Sequence, residues 1–235
     1  MKTFKHSGDM GDIIFSLPTI AALNGGLLYL DPDGGESSPL VKWADQTRTK
    51  FNQKLIEQLT PFLELQDGVI KVLPWEGQLV DYDLDKFRQH IRFNNLSISH
   101  LEAFGLDHAY ANLSWLKFPT KRVLPKPLLI SRSARYHGND AFWIGLLPKI
   151  KSRALFIGYP KEHDIFEYTF GHKIEYYPTP TILDLIETIY SSEQIFCNQG
   201  FSHAIAEGLA HPLVCEVERL YPAAIFQNKS SSQYA

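Results

Sequence analysis

The 235 residues are 44% hydrophobic, 13% aromatic and 21% charged, with 15 glycines and 14 prolines, an ordinary globular composition that excludes collagen-like, disordered and disulfide-framework proteins. At about 150 residues per domain the length holds one large domain or two small ones. A net charge of -3 argues against binding nucleic acid through overall charge, so any phosphate recognition must be local.

In chain order, 3–5 reads as a short strand, followed by a glycine-containing loop and a helix over 13–23 on which Ile13, Leu17 and Ile20 recur at i, i+4 and i+7. A strand over 27–30 follows, closed by the turn chemistry of Asp-Pro-Asp-Gly-Gly at 31–35, which completes a β-α-β unit. The apolar run in the first helix is too short to span a bilayer, and Asp9 and Asp12 beside it do not suit a secretion signal. No transmembrane segment is expected. The two cysteines, Cys197 and Cys215, fit a reducing cytoplasm, with placement at the membrane periphery left open. A helix is expected over 52–62 and a buried strand over 69–73, while 82–116 reads as helical or irregular without a definite order.

The segment PTKRVLPKP at 119–127 carries three prolines and three cations and suits a linker, which divides the chain into domains 1–124 and 125–218 and a terminal segment 219–235. Beyond it the alternation restarts, with strands over 128–131, 154–157, 173–177, 194–197 and 212–217 and helices over 140–147, 161–170, 181–190 and 202–210. Thr181 is placed to cap the helix striped by Ile182, Leu185, Ile186 and Ile189. The serine-rich end, 229–235, reads as frayed. Short apolar strands alternating with amphipathic helices imply an α/β fold of parallel sheets covered on both faces, two sheets rather than one.

Two turns stand at the carboxyl ends of strands, where open α/β sheets bind ligands. In Ser7-Gly8-Asp9-Met10-Gly11-Asp12 two aspartates at a helix start would repel phosphate, so this is neither a P-loop nor a dinucleotide fingerprint. A carboxylate there is either a general base or, for Asp12, a helix cap. In Cys197-Asn198-Gln199-Gly200-Phe201-Ser202-His203 the amides of a helix start, the Ser202 hydroxyl and His203 could hold a diphosphate; the alternative is a capped helix with a buried histidine. Lys117, Lys121, Arg122, Lys126, Arg132 and Arg135 form a stretch of cations without a carboxylate, and Arg132, just after a strand, could grip phosphate bidentately. Asp81, Asp83 and Asp85 invite a metal reading but lack the rest of a calcium loop, and His203 with Glu207 lacks a third ligand, so no metal is assigned.

Taken together, these segments resemble the two-domain GT-B glycosyltransferases, specifically the lipopolysaccharide heptosyltransferase (ADP-heptose transferase) family. Gly11-Asp12, Leu17-Pro18 and Ala22-Leu23 match its N-terminal signature; Gly200, Ser202 and His203 match the C-terminal one. The resemblance implies two Rossmann-like domains facing a cleft, and an inverting, metal-independent transfer of a sugar from a nucleoside diphosphate sugar to a glycan, lipid-linked or other hydroxyl acceptor, without a cofactor. Asp12 would be the base, with Asp9 as a second carboxylate and Gly8 and Gly11 shaping the loop. Arg132, Gly200, Ser202 and His203 would bind the donor diphosphate, and Asn198, Gln199 and Glu187 its sugar or nucleoside. The chain departs from the family in its shortness, in Asn198 where relatives often carry aspartate, and in the extra Asp9. An epimerase or hydrolase of the same architecture and a non-catalytic nucleotide-sugar binding protein are the alternatives.

Overall fold

The computed structural model describes residues 1–32, 52–91, 95–218, 223, 225–226 and 231–235. The end of the turn expected at 31–35 lies outside them. The chain forms two compact units, Met1–Lys117 and Phe118–Ala235.

The first unit carries β1 (Lys2–His6), α1 (Met10–Ala22), β2 (Gly26–Leu30), α2 (Gln53–Leu63), β3 (Val69–Pro74), β4 (Tyr82–Asp83) and α3 (Leu96–Glu102), with short 3-10 segments at Leu84–Gln89 and His108–Asn112. Its sheet runs β3-β2-β1-β4, every pairing parallel. Ile13, Leu17 and Ile20 of the α1 stripe and Phe4, Leu28 and Leu30 of the strands are all at most 1% exposed. The helix closes with Asn24 in the left-handed region (φ 64°), where its N–H meets the Ala21 carbonyl and that of Gly25 the Ile20 carbonyl. Gly25 is obligatory here: a Cβ would come within 2.4 Å of the Gly68 carbonyl.

The second unit carries β5 (Leu128–Ser131), α4 (Asp140–Ile150), β6 (Ala154–Phe156), α5 (Pro160–Phe170), β7 (Glu175–Tyr176), α6 (Ile182–Ser191), β8 (Gln194–Asn198), α7 (Phe201–Gly208), β9 (Leu213–Glu216) and β10 (Ser232–Tyr234). The sheet order is β10-β9-β8-β5-β6-β7, again all parallel. All four residues of the central β5 are buried, and Trp143, Leu147, Phe156 and Phe166 fill the layer between sheet and helices. Thr181 caps α6 in a reciprocal box with Asp184.

Three differences from the sequence reading have local causes. The division falls at 117/118 rather than 124/125 because Arg122 ties the linker onto α6: its backbone N–H donates to Ser191 Oγ at 2.9 Å and its guanidinium to Asp184 and Glu187. The serine-rich end is not frayed over its last residues, since Ser232–Tyr234 adds a parallel strand to β9. Within 82–116 the pairing of Tyr82 and Asp83 with Phe4 and Lys5 creates an edge strand that no two-residue periodicity could signal.

Candidate functional site

Each sheet has one topological switch point, where strands depart to opposite sides of a central strand and the crevice beyond their carboxyl ends is the default ligand position. In the first unit it lies between β1 and β4, and in the second between β5 and β8. The two singled-out turns are the segments that follow β1 and β8.

After β1, the Ser7–Asp9 turn is held from beneath. His6 is fully buried and its Nδ1 accepts the Gly8 N–H at 2.8 Å, which leaves the ring proton on Nε2. Burial pushes the His6 pKa down to about 4, so the ring is neutral at ordinary pH. Asp85, following β4, accepts the Ser7 N–H (3.2 Å) and hydroxyl (2.6 Å) and pairs with Lys5 (3.3 Å) and Arg88. Burial works to raise its pKa, but His6, the Ser7 hydroxyl and Arg88 together hold it well below the usual carboxylate range.

The turn then enters α1 at Met10. Asp9 stands in the N-cap position, though its side chain makes no capping bond, and Asp12 lies within the first turn with its carboxylate beside the Gly8 backbone. Asp12 is therefore not the cap that its spacing allowed, because the helix starts three residues earlier than the apolar stripe does. A Cβ on Gly8 would sit 2.6 Å from His6 Cε1 and 2.9 Å from Asp12 Oδ2, so glycine is what lets the imidazole and the carboxylate close on this turn. Gly8, Asp9, Gly11 and Asp12 are thus brought together, Asp9 and Asp12 both half-buried. Asp81 and Asp83 turn elsewhere, Asp81 to the Thr3 N–H and hydroxyl (2.8 and 2.9 Å) and Asp83 to the Asp85 N–H. Among the described residues no three His, Cys, Asp or Glu side chains are grouped to hold a metal ion.

After β8, Gly200 is the N-cap of α7 in extended backbone (φ 172°), and no side chain caps the helix. Ser202, the second helical residue, instead bonds Ser131 Oγ at 2.9 Å across the switch point. The first-turn amides of α7 thus start beside a cluster of hydroxyls from Ser131, Ser133 and Ser202. A Cβ on Gly200 would meet nothing nearer than Ser133 Oγ at 3.6 Å, so packing does not demand glycine there. Asn198 is buried and grips the loop after β5, accepting from the Ser133 N–H at 2.9 Å.

The remaining expected donor contacts have other partners. Arg132 does not project from the sheet end; it is buried and forked onto Glu216, Nε to Oε2 at 2.8 Å and Nη2 to Oε1 at 2.9 Å, with Asp140 at 2.7 Å. Glu216 also accepts the Gly138 and Asn139 N–H groups (both 2.9 Å) and the Trp143 indole (2.7 Å). Burial alone would raise its pKa, yet Arg132 and these donors keep it below the usual carboxylate value. His203 is fully buried, with Nε2 3.6 Å from Glu207 Oε1, between α7 and the aromatic rings of Phe226 and Tyr234. The burial matches one half of the alternative reading, a capped helix with a buried histidine, while the cap that went with it is absent. Gln199 accepts the Glu218 N–H at 2.8 Å, and Glu187 is bonded to Arg122 on α6. Sequence reasoning missed His6, Ser7, Ser131 and Ser133; their signal was only that each falls within two residues of a strand's carboxyl end.

No family model matches the sequence, and no curated protein does. Solved structures do match over nearly the whole chain. A glycosyl transferase family 9 protein from Veillonella parvula aligns with TM-score 0.63 and 9% identity, covering 99% of this chain and 84% of that one. The E. coli heptosyltransferase WaaC with ADP aligns with TM-score 0.62 and 11% identity over 100% of this chain and 93% of that one. E. coli ADP-heptose lps heptosyltransferase II gives TM-score 0.50 and 10% identity over 100% and 90%. At such identities the likeness is one of fold, and the α/β architecture of two all-parallel sheets is that of these heptosyltransferases. Among the described residues, no helix is long and apolar enough to cross a membrane.

Proposed function

We propose that this chain is a glycosyltransferase that moves a sugar from a nucleoside diphosphate sugar to an acceptor hydroxyl, with inversion and without a metal. The observation that carries the reading is the uncapped N-terminus of α7 at the second unit's switch point, bordered by Ser131, Ser133 and Ser202, in a fold whose solved examples include an enzyme with ADP. Helix N-terminal amides and hydroxyls favour a diphosphate through partial positive charge and hydrogen-bond donation. ADP or an ADP-sugar is accordingly the first ligand to try.

In this reading Asp12 takes the acceptor proton as the hydroxyl attacks the anomeric carbon, and the diphosphate leaves onto the amides of α7 and Ser202. His6 and Asp85 act beneath Asp12 by fixing the turn through Gly8 and Ser7. Asp81, Asp83 and Asp85 are each engaged by protein donors, which supports leaving the diphosphate to α7 rather than to a carboxylate-bound cation. The test is incubation with ADP-, UDP- and GDP-sugars and candidate glycan acceptors, with and without EDTA. Transfer with an inverted anomeric product that survives EDTA is expected; transfer that needs added manganese or magnesium overturns the metal-independent part.

The burial of Arg132 and His203 favours one second reading, a nucleotide-sugar binding protein without turnover, because both cationic candidates for the leaving group are turned inward. Saturable ADP binding with no transfer and no hydrolysis of any donor would support it.

A further inference from the structure

Asn198 ends β8 and is only 2% exposed, and the hydrogen bonds of its side-chain amide go to one loop. Its Nδ2 donates to the Ser133 carbonyl at 3.1 Å and to the Arg135 carbonyl; its Oδ1 accepts the Ser133 N–H at 2.9 Å and the Ser133 hydroxyl at 3.3 Å. Two carbonyls on one side and a backbone N–H on the other fix which way the amide faces. The loop needs holding, because Tyr136 has φ 57°, a left-handed conformation that a bulky residue rarely adopts. The loop is tied down again beyond Tyr136. His137 Nε2 donates to the Ser133 carbonyl at 2.7 Å, and the Gly138 and Asn139 amides reach Glu216. Where it passes α7, Ser133 Oγ faces Gly200.

We infer that Asn198 is a positioning residue of the donor site, which fixes the 133–137 loop beside the N-terminus of α7 and can do so only with an amide or another donor-bearing group. The inference rests on the proposed donor reading and assigns Asn198 to the loop rather than to the sugar. An ionised carboxylate at this position would keep both acceptor roles toward Ser133 but set a negative charge against two carbonyl oxygens with no proton to offer either. A protonated carboxyl restores one of the two donors. The charged groups around the position do not offset an added carboxylate. On β9, Glu216 is its register partner and is already matched by Arg132 of the β5 end. On the loop, the Arg135 guanidinium bonds Tyr136 and the His137 ring bonds Ser133. From α5, Glu162 faces the Ala134 N–H, and Glu218 follows β9 close to Gly138.

The variant is Asn198→Asp, compared with the unmodified chain at the same pH, near pH 8 and near pH 5.5, on either side of the titration of a buried carboxyl. Amide hydrogen exchange over 132–139 reads the loop, and calorimetry with ADP reads the site. Near pH 8 the variant should exchange about tenfold or more faster in this loop and bind ADP about tenfold or more weakly; near pH 5.5 both should move back toward the unmodified protein. Ser133→Ala, which removes only the hydroxyl bond to Asn198 and leaves the amide clamp on the backbone intact, should leave exchange over 132–139 within about threefold of the unmodified chain. Unmodified exchange and affinity in Asn198→Asp near pH 8, or losses that do not depend on pH, overturn the inference. Should the variant fail to fold near pH 8, folding regained near pH 5.5 supports the inference and failure at both refutes it. If the unmodified chain binds no ADP, UDP or GDP, the donor reading falls while the exchange comparison still decides the clamp.

Discussion

Glycines in the two turns answer to different demands. Gly8 is required by the chain itself, since His6 and Asp12 close on it. Gly200 is not, because its backbone is extended and its Cβ direction is open. Gly200→Ala should therefore leave stability unchanged or raise it by up to about 1 kcal/mol through the stiffer unfolded chain. A methyl at the mouth of α7 nevertheless stands where a diphosphate would approach, so ADP affinity should fall about tenfold or more. Urea unfolding and calorimetry on the same preparation separate the two. If affinity and stability are both unaltered, the diphosphate does not rest on this turn. Residue types predicted chemistry here better than they predicted direction. Arg132 was legible as a cation after a strand, but its partner Glu216 is brought alongside by the order of the strands, which no local window contains.

Glu216 at the end of β9 joins three elements, for it takes donors from the β5 end, from the loop before α4 and from Trp143 of α4. Glu216→Gln would replace an acceptor oxygen with an N–H group facing other donors, and would leave the Arg132 guanidinium buried with only the largely exposed Asp140. Breaking a buried pair by removing one partner typically costs about 3–5 kcal/mol. A loss of that size in urea unfolding is expected, with hydrogen exchange quickening at the β5, β9 and α4 ends; a loss below about 1 kcal/mol would show that the pair does not organise this sheet edge. At this scale the sequence was read well wherever elements declare themselves locally. Short apolar runs gave β5 with its bounds intact and placed β6 and β8 to within one residue, and Thr181 announced α6 by its cap. β4 and β10 escaped because their two and three residues are strands only by virtue of the neighbour they pair with.

At the scale of the whole molecule, three of the buried histidines, His6, His100 and His211, make the fold acid-sensitive. Burial lowers His6 and His211 to about 4, and pushes His100, stacked on Phe87 at 4.0 Å, well below its ordinary value. The unfolded chain takes up these protons near pH 6.5 and the folded one does not, so stability is complete above about 6.5 and declines as pH falls toward 4. Asp85, Glu207 and Glu216 act in a different window. Their folded pKa values are depressed, so what they contribute is lost only as pH falls below the ordinary carboxylate range. Unfolding free energy measured from about pH 7.5 to about pH 4.5 should thus drop by roughly 3 kcal/mol or more. A flat curve over that interval would mean that these imidazoles are charged or exposed in the native protein. The parallel α/β architecture of both units was legible in the strand–helix alternation, whereas this burial pattern was not, since His6 and His100 meet only when α3 packs against α1 and β1.

The central claim is that the turn after β1 supplies a general base to a glycosyl transfer, with Asp12 as that base. The most direct measurement is the turnover of Asp12→Asn and Asp9→Asn with a saturating acceptor and whichever nucleotide sugar the unmodified chain uses, alongside ADP affinity and stability. Asparagine in the first turn forfeits a favourable charge–dipole term of about 0.3–1 kcal/mol, too little to unfold the unit, whereas loss of a general base costs about a hundredfold to ten-thousandfold in rate. The account predicts that slowing for Asp12→Asn with ADP binding intact, and near-normal turnover for Asp9→Asn. Full turnover by Asp12→Asn would contradict it: together with a slow Asp9→Asn it would make Asp9 the base, and with neither variant slowed it would remove carboxylate base catalysis from the mechanism.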